Sequence, residues 1–289
     1  MAAMPTLSPD RLAAYRAETY RLQADLTVTT REQAVDFVNR RGFVHFWPVK
    51  GVTLPSLWAA VAGDRPVPNE HDDPGHITWG WKDEMLGARR WYYAKVLRRK
   101  ATFIALDVVP LFYALSENYG EPEQDYLLQY QEGRLTFEAK AVYETLLAEG
   151  PLDSISLRKL ARLGSRESEA RFNRALELLQ GDFKILPIGV AQAGAWKYAF
   201  IYDLVHRFYP ELPEQARPIR QAAARRKLAE LYLTSVGAIL EKGVTSLFGW
   251  TKGETAAAIA ALADDGILLP GVKLAGQPGE WLALAPLVG

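Results

Sequence analysis

Trp79-Gly80-Trp81-Lys82-Asp83-Glu84 holds two indoles two residues apart and, after Lys82, two adjacent carboxylates. Rings so placed can flank a base drawn out of a duplex, while Asp83 or Glu84 orients a water beside it. The same residues equally suit a strand with Trp81 in the core and a polar turn behind it. Glu70-His71-Asp72-Asp73-Pro74-Gly75-His76 has the residue types of a metal site. Its two histidines lie in a loop with no helix to fix them on one face, so a hydrated acidic loop is expected and no metal. No cofactor is expected either. Gly243 to Gly249 lacks the lysine-hydroxyl pair of a phosphate loop, and no nucleophile elbow is present. The sequence has no cysteine, which excludes thiol catalysis, thiolate metal sites and disulfides.

Formal net charge is zero and the isoelectric point about 6.9. Indiscriminate coating of nucleic acid is mostly phosphate neutralisation, so this balance argues against it and leaves local patches to decide. Arg98-Arg99-Lys100 falls at the turn between two strand-like runs, Tyr92 to Leu97 and Thr102 to Leu106. Arg89, Arg90 and Lys95 lie beside it, interleaved with Trp91, Tyr92 and Tyr93. A protruding hairpin of this kind sets cations on phosphates and rings on exposed bases; the alternative is a solvated turn whose rings face the core. Over residues 165–179 helical periodicity buries Phe172, Ala175, Leu176 and Leu179 and turns Arg166, Asn173, Arg174 and Glu177 outward. Arginine and asparagine read guanine and adenine edges, although an ordinary solvated helix shows the same pattern. Arg217, Arg220, Arg225, Arg226 and Lys227 form a further cluster that could touch a backbone phosphate, although a solvated face paired with Glu230 shows the same pattern.

The elements that must position these residues come from a chain of 289 residues, 49% hydrophobic and 24% charged, the proportions of an ordinary globular protein with two domains or three small ones. No apolar run approaches the roughly 18 residues of a spanning helix, and the first residues lack the apolar stretch of a signal peptide. A cytoplasmic protein is expected. Ser8-Pro9-Asp10 announces a helix running to about Ala24. The same order of elements then follows three times. It is clearest in the middle: a helix from near Thr136 burying Ala141, Leu146 and Leu147, a short helix at Ser156–Ala161, and a third capped by Ser165. Strand-like runs Phe183–Val190 and Trp196–Tyr202 then meet through Gly194. The last third has a helix over Gln215–Leu240, a short one near Leu247, a Thr251/Glu254 capping box and runs Ile267–Leu274 and Trp281–Ala285. The first third has a Thr30/Gln33 capping box, a helix over Val52–Val61 and a Pro- and Asp-rich loop from Gly63 to Gly75. Three helices and a hairpin make the winged helix-turn-helix plan. The expected fold class is mainly α with small β-hairpins: three tandem winged helices at 30–133, 134–213 and 214–289, behind an N-terminal helix in 1–29.

Tyr232-Leu233-Thr234-Ser235-Val236-Gly237-Ala238, Leu247-Phe248-Gly249-Trp250-Thr251 and Ala261-Leu262-Ala263-Asp264-Asp265-Gly266-Ile267 resemble the winged-helix repeats of the AlkZ/YcaQ family of bacterial DNA glycosylases. Arg41-Gly42-Phe43-Val44-His45-Phe46-Trp47 resembles that family's leading strand, and the resemblance runs from about Arg31 to Leu284. It implies base excision, with a Gln-x-Gln or Gln-x-Asp motif that positions water and supports the developing sugar cation. Here those positions fall at His45 and Trp47, so the motif is not retained. Tryptophan has one donor and no acceptor; His45 is of a type that can act as a base near neutral pH, or can simply satisfy its nitrogens on a half-buried strand. Trp47 joins Trp79 and Trp81 as a base-stacking candidate. The β-barrel that follows in those glycosylases is not expected after the third repeat. The resemblance therefore implies a monomer that binds double-stranded DNA, intact or damaged, for repair or damage recognition, with a degenerate or altered active site and no membrane partner. The alternatives are a transcriptional regulator, which would dimerise on a palindromic operator, and a module that only joins proteins.

Overall fold

Each local signal can be followed into the computed structural model, which describes residues 5–70 and 72–288. Strand β1 (Thr6–Leu7) precedes α1 (Pro9–Thr19), where the Ser8 side chain accepts the Arg11 N–H. The helix stops short of Ala24 because Arg21 takes a left-handed backbone, φ 62°. In α2 (Arg31–Arg41) Thr30 accepts the Gln33 N–H, but the Gln33 side chain returns to the Thr29 N–H, so the capping box closes one residue early. There follow β2 (Phe43–His45), α3 (Leu57–Ala62), α4 (Ile77–Leu86), β3 (Tyr92–Lys95) and β4 (Ala101–Ile104). Helix α3 begins later than Val52 because Pro55 precedes its Ser56 cap. Trp79 to Glu84 lie within α4 and are neither strand nor turn: Thr78, Trp81, Lys82 and Met85 are buried, a helical repeat that Gly80 hides.

Two short helices, α5 (Val109–Tyr113) and α6 (Asp125–Gln131), lead to α7 (Phe137–Glu149), β5 (Leu152–Asp153), α8 (Ser154–Leu160), α9 (Glu169–Gly181), β6 (Ile185–Ala191) and β7 (Ala199–Leu204). Helix α7 buries Ala139, Val142, Tyr143 and Leu146, so its inner face is rotated from the expected one; Ala141 and Leu147 lie at its margin. Ser165 opens a single 3-10 turn, and α9 begins only at Glu169. Helices α10 (Val205–Phe208) and α11 (Leu212–Ala216) connect to α12 (Gln221–Val236), β8 (Ala238–Leu240), α13 (Glu241–Phe248), α14 (Lys252–Asp264), β9 (Leu268–Leu274) and β10 (Trp281–Leu284). The expected long helix over Gln215–Leu240 is thus divided: Pro218 precedes α12, and Gly237 at φ 75° ends it. Thr251 and Glu254 form the full capping box.

The fold is mixed α and β. One order, helix–strand–helix–helix–strand–strand, occurs three times, in sheets β2-β4-β3, β5-β7-β6 and β8-β10-β9, with β1 added in parallel outside β9. The hydrophobic interior is divided otherwise. The first and third sets share one core, to which Phe183 and Leu186 around the start of β6 also contribute and in which Phe43 meets Phe112 and Phe248 edge-on at 5.5 and 5.8 Å. The middle set has its own, built on Leu146, Phe172, Leu179 and Leu204. Helix α1 ties off the end of α12, whose last carbonyls have no intrahelical partner: Tyr15 donates to Thr234 O (2.6 Å), Thr19 to Ser235 O (2.8 Å), and Arg16 to Val236 O and Ala238 O (2.9 and 2.7 Å). Among the described residues no helix is long and apolar enough to cross a membrane.

Candidate nucleic-acid interface

Strand alternation sends His45 and Phe46 to opposite faces of the first sheet. Phe43, His45, Tyr92 and Thr102 share the face that meets Phe112, Phe183 and Phe248. His45 is 1% exposed, and neither ring nitrogen has a hydrogen-bond partner. The Ala101 carbonyl bears on the ring without reaching hydrogen-bonding geometry. Burial, seconded by the Lys100 charge, holds the imidazole pKa down to about 4 despite that carbonyl. The ring is therefore neutral at pH 7 and enclosed, where a half-buried, satisfied histidine was the simpler expectation. A base must touch the atom it deprotonates, and in this conformation His45 faces only protein.

On the opposite side the rings gather. Trp47 stacks on Phe46 (centroids 4.9 Å apart, planes at 22°) and meets Trp79 at 5.6 Å. Trp79 is exposed and donates its indole N–H to the Tyr198 hydroxyl at 3.2 Å. That hydroxyl accepts from Lys82 Nζ at 2.8 Å and donates to Asp83 Oδ1 at 2.9 Å, and Lys82 also donates to the same carboxylate oxygen. Lys82 is 1% exposed, its ammonium 4.4 Å from the Phe200 ring and 5.0 Å from Trp79. Burial lowers its pKa, and Asp83 opposes the shift; burial and Asp83 both raise that of Tyr198.

Trp47, Trp79 and Asp83 are thus brought together, and the partners that complete the group are Tyr198 and Lys82. Trp81 is not part of it. Two residues along a helix turn side chains about 200° apart, so Trp81 enters the core while Trp79 stays outside, and the two cannot flank one base. Glu84 also turns away and pairs with Arg31 at the start of α2. Lys82 was legible only as a cation on the buried helical face, four residues from Thr78; nothing local marks Tyr198.

The cations are divided between paired and open. Arg98-Arg99-Lys100 does not protrude. Leu97–Arg99 form a tight turn, with Arg98 and Arg99 at φ 56° and 54°, packed between α9 and α13. Arg98 donates to Ser246 O at 3.1 Å, Lys95 pairs with Glu177 at 2.9 Å, and Arg89 covers the Phe208 ring at 4.7 Å. Arg98 and Arg99 border a cavity of about 670 Å³ walled by Phe183, Phe248 and Trp250. Its other arginines are neutralised, Arg134 by Glu117 and Glu132, Arg225 by Glu254. Arg90, Arg99, Lys100, Arg166 and Arg174 are exposed and make no ion pair among the described residues, and Asn173 is exposed beside Arg174. In the last third Arg226 and Lys227 pair with Glu230, and Arg217 with Glu214. In the acidic loop, His71 lies outside the described residues, and Asp73 holds Arg65 through both oxygens. No group of three metal-ligating side chains occurs among the described residues.

The overall fold has a counterpart among solved structures. It matches Streptomyces sahachiroi DNA glycosylase AlkZ with a TM-score of 0.59 and 13% identity, over 97% of this chain and 71% of that one. The chain belongs to the AlkZ-related family, whose model matches residues 28–249. No curated protein sequence matches it.

Proposed function

We propose that this protein binds duplex DNA through three tandem winged helices and recognises damage for repair. The observation that carries the reading is the Trp47–Trp79–Tyr198 group, where an exposed indole is held by a buried polar anchor between the first and second repeats. Bases stack on such rings irrespective of sequence. Arg90, Arg99, Lys100, Arg166 and Arg174 supply phosphate contacts, Asn173 a base-edge contact. The repeated order of helices and strands, with the third strand between the other two, supports the winged-helix assignment. Membership of the AlkZ-related family supports DNA repair.

The active site is altered in this reading. His45 is enclosed, Trp47 has no acceptor, and Asp83 is committed to Lys82 and Tyr198. Fluorescence anisotropy against matched duplexes, one intact and one with an abasic-site analogue, tests the proposal across a salt series. Tighter binding to the damaged duplex, weakening as salt rises, is expected. Equal, weak and salt-insensitive binding to both would refute it. If base release is detected, His45→Ala and Asp83→Ala variants decide whether either residue carries it.

A further inference from the structure

Trp196 is 90% exposed at the tip of the β6–β7 hairpin, the highest exposure of any large hydrophobic side chain among the described residues. Its surroundings are not those of a slack loop. Lys197 N–H donates to Gly194 O at 3.1 Å, which closes a turn around Ala195 and Trp196. Gly194 takes φ 78°, a left-handed backbone that favours glycine, and it lies against the Ile155 side chain of α8. Two residues beyond Trp196, Tyr198 is held by hydrogen bonds to Trp79, Lys82 and Asp83. Two anchors thus bracket one unsupported indole. Lys197 beside it, and Lys159 one turn from Ile155 on α8, are exposed and make no ion pair among the described residues.

We propose that Trp196 is a preorganised wedge that enters a base step of duplex DNA, with Lys197 on the adjacent phosphate. The proposal rests on the DNA-binding reading and adds to it the residue that does the unstacking. An apolar side chain inserted from a hairpin partly unstacks a step and kinks the duplex. A tip held in position before contact loses little freedom on binding. The flanking cations give the partner's sign: a polyanion presenting flat apolar faces between its charges. Both features match nucleic acid.

The test compares the wild-type chain with Trp196→Ala, Trp196→Phe and Lys197→Ala by anisotropy on a duplex holding an abasic-site analogue. Trp196 makes no buried contact, so all variants should keep the wild-type melting temperature. Trp196→Ala is expected to bind roughly tenfold more weakly with an unchanged salt slope, and Trp196→Phe to recover most of the loss. Lys197→Ala should instead lower the salt slope by about one. Trp196→Ala binding within twofold of wild type overturns the wedge and points the indole to a protein partner. A wild-type chain with no salt-dependent binding overturns the DNA reading itself, and the wedge with it.

Discussion

A buried ammonium is costly unless hydrogen bonds replace its water. Around Lys82 that role is shared by Asp83, Tyr198 and several ring faces. The two halves of the ion pair are unequally placed: the Lys82 side chain is 1% exposed and that of Asp83 21%. Removing the carboxylate strands a charge in the interior, whereas removing the ammonium leaves a carboxylate that water can reach. Asp83→Ala should therefore cost about 3 kcal/mol and Lys82→Met about 1 kcal/mol, measured by urea denaturation; the reverse order would disprove the asymmetry. His45 carries a pH dependence. Its folded pKa is about 4 against 6.5 unfolded, so between these values the unfolded chain binds a proton that the folded chain refuses. Stability contributed by the neutral ring is complete above pH 6.5 and lost as pH falls toward 4, at most about 3 kcal/mol in all. His206 is lowered by burial too and adds in the same direction. His45→Leu should flatten thermal stability across that window; a melting-temperature profile as steep as wild type would contradict the assignment.

At the scale of elements, α1 acts as an external cap for α12. Arg16 spans two carbonyls around Gly237, one on each side of the bend, and a lysine cannot reproduce that fork. Arg16→Ala should cost about 2 kcal/mol, and Arg16→Lys should recover little of it, by chemical denaturation. Recovery to wild type would mean that only charge matters there. Caps of this local kind explain what was legible. Ser8, Thr30, Thr136 and Thr251 act on an N–H three residues away, so the residues that mark the helix start are themselves the contact. What was hidden depended on distance. Trp79 to Glu84 resembled a strand because Gly80 separates the indoles, and only packing of Trp81 and Met85 reveals the helix. Tyr198 reaches Lys82 across 116 residues, so no spacing in the sequence announces the candidate site. The Arg98-Arg99-Lys100 turn looked like a free tip because Ser246, which receives Arg98, is also remote.

In the whole molecule the interior follows space and not chain order. The first and third repeats form one hydrophobic body, which Phe183 and Leu186 of the middle repeat join, and the rest of the middle repeat forms another. Leu146→Ala and Leu233→Ala, both at fully buried positions, should each cost about 3 kcal/mol. Hydrogen exchange should separate them: Leu146→Ala loosens amides of α7 to β7, while Leu233→Ala loosens both the first and the third repeats. Loosening confined to the third repeat would show that the shared core is not cooperative. The parallel pairing of β1 with β9 closes the same body at its far edge. On the ribosome this arrangement sets an order of events. The middle repeat can complete its core once β7 has emerged, whereas the sheet bearing Phe43, met first by Phe112 and then by Phe183, must wait with that apolar face only partly covered until Phe248 has been made. The first repeat, made before the third, is thus among the last to be fully sheltered, and exposed apolar surface of that kind is what chaperones bind.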